Sequence, residues 1–97
     1  MITVSVLDEL WRVITDRFVN PKGGSYVSGL VSGEKGSDRA LEKVGEETTE
    51  FIIAVKNGDH QNIVSEAADL QFHILIALKA AGVEFTEVLD ELGRRRR

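Results

Sequence analysis

The chain contains no cysteine, which excludes disulfides and thiolate metal sites. No apolar run approaches the roughly 18 residues that a membrane-spanning helix needs. The first residues lack a basic segment followed by an apolar stretch, so no secretory signal is read and a soluble, cytoplasmic protein is expected. No internal repeat is evident. Between Asn57 and Leu78 there is no lysine or arginine. The net charge of −4 gives no general attraction for nucleic acid, and neither nucleic acid nor membrane is expected as a partner. Arg94–Arg97 run against that balance, either as a phosphate contact or as a solvated tail favoured at the negative end of the last helix. At 97 residues the chain is one domain, 1–97, with 93–97 as an Arg-rich tail.

What is present is helical periodicity. Residues 4–19 place Leu7, Leu10, Trp11, Ile14 and Phe18 at i, i+3, i+4 spacing, predicting an amphipathic helix capped by Thr3 or Ser5 and ended by Asn20-Pro21. Residues 20–37 are rich in Gly and Ser and form a loop, with a short helical turn around Tyr26, Val27, Leu30 and Val31. Lys22, Ser25, Tyr26 and Lys35 are candidate contacts there for a phosphorylated ligand. Residues 38–57 predict a helix capped by Ser37 and stopped by Gly58, with Leu41, Val44, Thr48, Phe51, Ile52 and Val55 as its apolar stripe. Residues 60–81 predict a helix capped by Asp59 and terminated by Gly82. It is apolar nearly all round, so a subunit interface in a two-fold dimer is expected. A last helix, 86–93, is expected to be capped by Thr86 with Val88, Leu89 and Leu92 inward. The fold class is all-α, a four- to five-helix bundle with a helical core shared across a dimer.

Two acidic pairs stand out. Glu47-x-x-Glu50 follows Glu46, and Glu66-x-x-Asp69 lies beyond the Asn57-Gly58-Asp59 turn. Residues three apart share a helix face, and an antiparallel pair of helices across this turn brings the carboxylates together. Lys43 gives Glu46 and Glu47 about 0.2–0.5 kcal/mol of local support per pair, as on an ordinary surface helix. Glu66 and Asp69 have no such neighbour in a strongly apolar helix, where an unpaired charge is expensive. Their partner is either a basic side chain from another helix or a hard cation. An oxygen-only donor set points to Mg²⁺, or Mn²⁺, over Zn²⁺. His73, one turn after Asp69, is a candidate hydrogen-bond partner behind the site, or a core histidine. Neither acidic pair carries the Glu-x-x-His spacing of a ferritin-like di-iron centre.

The strings Lys43-Val-Gly-Glu-Glu-x-x-Glu, Lys56-Asn57-Gly58-Asp59 and Glu66-Ala-Ala-Asp69-Leu70 resemble the phosphoribosyl-ATP pyrophosphatase family, across roughly residues 7–92. That family belongs to the all-α nucleoside triphosphate pyrophosphatases, with an E-E-x-x-E motif and a later E-x-x-D motif. The resemblance implies hydrolysis of phosphoribosyl-ATP between the α- and β-phosphates, giving phosphoribosyl-AMP and pyrophosphate, in histidine biosynthesis. By motif, Glu47, Glu50, Glu66 and Asp69 hold Mg²⁺, and Glu46 or Glu47 acts as the catalytic base. Arg39 and Lys43, about two turns and one turn ahead of the acids, are candidate phosphate contacts. Two other readings remain at this point. A related house-cleaning pyrophosphatase would share the metal machinery and differ in a base and ribose pocket, placed in loop 20–37. A non-catalytic helical module would pair its acids with a partner's arginines, without metal dependence and with salt-sensitive binding.

Overall fold

The computed structural model describes residues 2–33 and 35–96, with side chains from Val6 onward. Among these residues the chain forms five helices and no strand: α1 Ile2–Val19, α2 Tyr26–Val31, α3 Ser37–Asn57, α4 His60–Ala80 and α5 Phe85–Arg94. The all-α expectation holds, with the helix count at its upper end. No helix is long and apolar enough to cross a membrane.

One core joins all five helices. Ile14 of α1, Val27 and Leu30 of α2, Ala40 of α3, Leu75 and Ile76 of α4 and Phe85 of α5 are buried together. Leu7, Leu10, Trp11 and Phe18 pack on this cluster, as the period of α1 requires. The helix begins at Ile2, so Thr3 and Ser5 lie inside it and do not cap it. The short α2 is a true element because Ser25 caps it, its hydroxyl accepting from the Ser28 amide at 3.3 Å. The buried Ser28 hydroxyl donates to the Arg17 carbonyl at 3.2 Å and accepts from the Lys22 amide at 3.0 Å. The glycine-rich loop is thereby tied to α1.

α3 and α4 form an antiparallel hairpin, the most extensive helix pairing in the chain. Asn57 ends α3, and Gly58 takes φ +74°, a left-handed conformation open to glycine. Its N–H donates to the carbonyls of Ala54 and Val55, both at 3.1 Å. Asp59 then caps α4, accepting from the Asn62 amide at 3.2 Å. These two caps were legible in the sequence. The other two were not. α3 is entered through Gly36, at φ +54°, with Ser37 already helical. α5 is entered through Glu84, whose N–H donates to Glu87 Oε2 at 3.0 Å, and Thr86 lies within the helix.

The buried face of α3 differs from the expected stripe. Ala40, Glu47 and Ala54, seven residues apart, are buried, while Leu41, Ile52 and Val55 are exposed. Small alanines let α4 approach that face closely, and among the described residues no other helix covers the stripe. α4 is buried only toward its C-terminal half, at His73, Leu75 and Ile76, while Val64 remains 52% exposed. In α5 only Phe85 is buried, and Leu89 and Leu92 face outward, against expectation.

Candidate active site

The Gly58 turn sets the register of the hairpin. Glu50 and Glu66 each lie eight residues from Gly58, and Glu47 and Asp69 each lie eleven. Equal counts along two antiparallel helices bring each pair to the same level. One carboxylate oxygen from each of Glu47, Glu66 and Asp69 falls within a 4.8 Å group. Glu50 lies outside this group of three but close enough for its charge to act on the Glu66 carboxyl.

This cluster is short of partners. Glu47 is buried at 6% exposure, and its Oε1 has no hydrogen-bond partner. Oε1 of Glu66 is likewise buried and unpartnered. Burial pushes the Glu66 carboxyl above its usual range, and the negative charges of Glu50, Asp69 and Glu47 push it the same way. Two ionised carboxylates cannot hydrogen-bond one another, so the pair needs a shared proton or a cation. The residues present therefore fit a divalent ion: oxygen donors, converging, with buried lone pairs that nothing in the described chain uses.

Lys43 is the cation that the chain itself brings. Its ammonium lies 3.2 Å from Glu46 Oε1 and 3.4 Å from Glu47 Oε2. The hydrogen bond to Glu46 raises the Lys43 pKa, with further support from the Tyr26 side chain and Glu47 against some desolvation. Glu46 is mostly exposed and lies outside the group of three. Arg39 is exposed, one turn ahead of Lys43, with no carboxylate within ion-pair distance among the described residues.

His73 anchors the site from behind. Its Nδ1 faces the Asp69 carbonyl at 2.7 Å, so Nδ1 carries the proton and donates. With a neutral ring Nε2 then accepts, and the Tyr26 hydroxyl donates to it at 2.7 Å. The ring stands edge-on to Tyr26 and Phe72. The sequence left His73 as either a partner behind the acids or a core histidine, and the structure makes it both buried and hydrogen-bonded to the Asp69 backbone. Nothing in the sequence signalled that the histidine's other neighbour would be a tyrosine 47 residues away.

At the far end of the chain, Glu91 accepts from Arg94 and from Arg95, the latter at 2.8 Å. The basic tail is thus partly folded onto the last turn of α5, and Arg97 lies outside the described residues.

A helical hairpin that brings unpaired carboxylates together beside a lysine defines an all-α class of protein with an acidic group fitted to a metal ion. Within that class, the sequence model of the phosphoribosyl-ATP pyrophosphohydrolase family matches residues 7–96, and the chain belongs to this family. It is 58% identical, over its full length and 98% of the relative, to a phosphoribosyl-ATP pyrophosphatase of Methanosphaerula palustris. A phosphoribosyl-ATP pyrophosphatase of Methanoculleus marisnigri is 53% identical, with 96% of each chain covered. A histidine biosynthesis bifunctional protein HisIE of Prochlorococcus marinus is 48% identical over 91% of this chain and 38% of its own length.

Proposed function

We propose that the protein is a hydrolase that splits phosphoribosyl-ATP into phosphoribosyl-AMP and pyrophosphate, in histidine biosynthesis. The observation that carries the site assignment is the pair of buried, unpartnered oxygens on Glu47 and Glu66 in a group within 4.8 Å. Glu47, Glu50, Glu66 and Asp69 hold the cation, Mg²⁺ with Mn²⁺ as substitute, because the donors are all carboxylate oxygens. A cation bound there offsets phosphate charge and lowers the pKa of a water. The proton of the attacking water passes to Glu46 or Glu47, the two carboxylates that Lys43 touches. Lys43, beside the acids, neutralises the phosphates nearest the broken bond, and Arg39, one turn further from the acids, is a contact for a substrate phosphate away from that bond. Tyr26 and His73 fix the backbone of Asp69 and so the aim of its carboxylate.

The active assembly is a homodimer in the cytoplasm. Ile52, Ile53, Val55 and Val64, toward the hairpin's turn, are each about half exposed, and this number of exposed aliphatic side chains supports a partner there. A folded monomer at micromolar concentration in sedimentation would remove that part of the proposal. The reaction is tested by pyrophosphate release from phosphoribosyl-ATP against a panel of ordinary triphosphates, with and without Mg²⁺. Phosphoribosyl-ATP should be strongly preferred, and Glu50→Gln or Glu66→Gln should abolish release while keeping the helical circular dichroism. Equal turnover of the whole panel would instead favour the house-cleaning reading, and full activity in both variants would refute the metal site.

A further inference from the structure

Ahead of the acids the chain carries a second cationic centre. Arg39, Lys43 and Glu47 recur every fourth residue along α3, and Lys35 stands four residues ahead of Arg39 in the entry turn. Lys43 is engaged with Glu46 and Glu47. Arg39 lies about 12 Å before Glu47 along the axis, at about 1.5 Å per residue. Lys35 pairs with the exposed Glu42, at 3.1 Å. Arg39 and Lys35 together line an open cavity of about 780 Å³ between α2 and the start of α3. Tyr26 and Leu30 give this cavity an apolar wall, and the rest of its lining is mostly glycine.

Those glycines carry a second observation. Gly24 and Gly36 have positive φ, which accounts for them. Gly29 does not. It sits inside α2, where glycine costs about 1 kcal/mol against alanine. A Cβ added there would meet nothing within 4 Å, and the same is true of Gly33. Nothing within the described chain requires either residue to lack a side chain. Every glycine of the chain has the same open space around it, so what sets Gly29 and Gly33 apart is only their place in the cavity lining, where a side chain would take up room.

We infer that this cavity is the subsite for the sugar-phosphate end of the substrate, with Lys35 and Arg39 gripping the phosphate of the phosphoribosyl group. The inference rests on the reading of phosphoribosyl-ATP as substrate. Such a molecule carries phosphate at both ends, separated by the adenine and two riboses. One end lies on the carboxylate-bound cation and Lys43. The other needs positive charge at a distance, with room for a ribose between. Arg39 and Lys35 supply the charge, Gly29 and Gly33 the room, and the Tyr26 ring a wall for the base. An ordinary nucleoside triphosphate has no second phosphate to place there, so this cavity discriminates between the two.

The test uses the full-length protein and two readouts. In pyrophosphate-release kinetics on phosphoribosyl-ATP, Arg39→Gln should raise KM about tenfold and Lys35→Gln with Arg39→Gln about a hundredfold. kcat should stay within about threefold, since neither residue reaches the cation site. Arg39→Lys should recover part of the loss. Ribose 5-phosphate, titrated calorimetrically without substrate, should bind the native protein and not the double variant. Gly29→Leu, which fills the cavity and keeps both cations, should raise KM and weaken ribose 5-phosphate in the same way. A native enzyme that releases pyrophosphate, with KM and ribose 5-phosphate binding unchanged in the double variant and in Gly29→Leu, overturns the subsite. A native protein that binds ribose 5-phosphate through Arg39 but releases no pyrophosphate would instead overturn the reaction and leave the subsite standing.

Discussion

Glu66→Gln separates the cost of this carboxylate to the metal-free fold from the metal-binding role proposed for it. Without metal, Glu66 sits among Glu47, Glu50 and Asp69 with one oxygen buried and unpartnered, and its carboxyl is raised above the usual 4.5. A raised carboxylate pKa in the folded state means that the native protein holds this proton more tightly than the unfolded chain. The group therefore weakens the metal-free fold above its folded pKa, and the loss recovers as pH falls from there toward 4.5. Glutamine keeps the shape and drops the charge, so metal-free Glu66→Gln should melt no lower than the native protein at neutral pH, with a flatter pH dependence in that window. With metal the order reverses. A ligand at a hundred times its Kd stabilises by about 2.7 kcal/mol. For a domain of 97 residues this is a rise in Tm of about 10–20 °C. If the substitution weakens Mg²⁺ about a hundredfold, the same concentration yields only about 0.4 kcal/mol and a rise of about 2–3 °C. Thermal melts followed by circular dichroism, with and without Mg²⁺ and across pH, read all of this. An equal Mg²⁺ shift in both proteins, or a large loss of metal-free stability in the variant, would contradict the reasoning.

Leu75, fully buried where α4 meets the other helices, should cost about 2–5 kcal/mol as Leu75→Ala in urea unfolding, with the slope unchanged. Asp59→Ala removes the cap of α4 and should cost about 1 kcal/mol by the same measurement. The Glu91 carboxyl is held below its usual range by hydrogen bonds from Arg95 and Arg94. It stabilises the fold above the ordinary carboxylate pKa, and that contribution disappears as pH falls through its lowered value. Carboxyl resonances in NMR titration should show Glu91 titrating low in the native chain and returning to the ordinary range in Arg94→Ala/Arg95→Ala.

The sequence exposed those features that depend on neighbours along the chain. Period, caps and turn are local, so α1, the short α2 and the α3–α4 hairpin could be read from spacing and from Gly58 and Asp59, while Ser25, the cap of α2, was read only as a candidate phosphate contact. The acids could be read because a helix with no lysine or arginine before Lys79 makes two carboxylates conspicuous. What stayed hidden depends on which helix lies against which. The stripe containing Leu41 and Ile52 is the more hydrophobic side of α3, yet α4 packs where Ala40 and Ala54 allow close approach, and Glu47 goes under with them. Leu89 and Leu92 have helical spacing but no helix above them among the described residues. The tie between Tyr26 and His73 spans a loop and two helices, and no local pattern encodes it.

The symmetric count about Gly58 makes the hairpin a ruler, and a ruler tolerates no added length at its origin. One residue inserted between Asn57 and His60 would slide α4 by about 1.5 Å and rotate it by about a quarter turn or more. Glu66 and Asp69 would swing away from Glu47 and Glu50 while both helices remained fully formed. Length changes in the α1–α2 connection would leave those four carboxylates level. Variation in loop length among working members of this family should therefore concentrate on that side of the molecule and spare the three-residue span from Asn57 to Asp59.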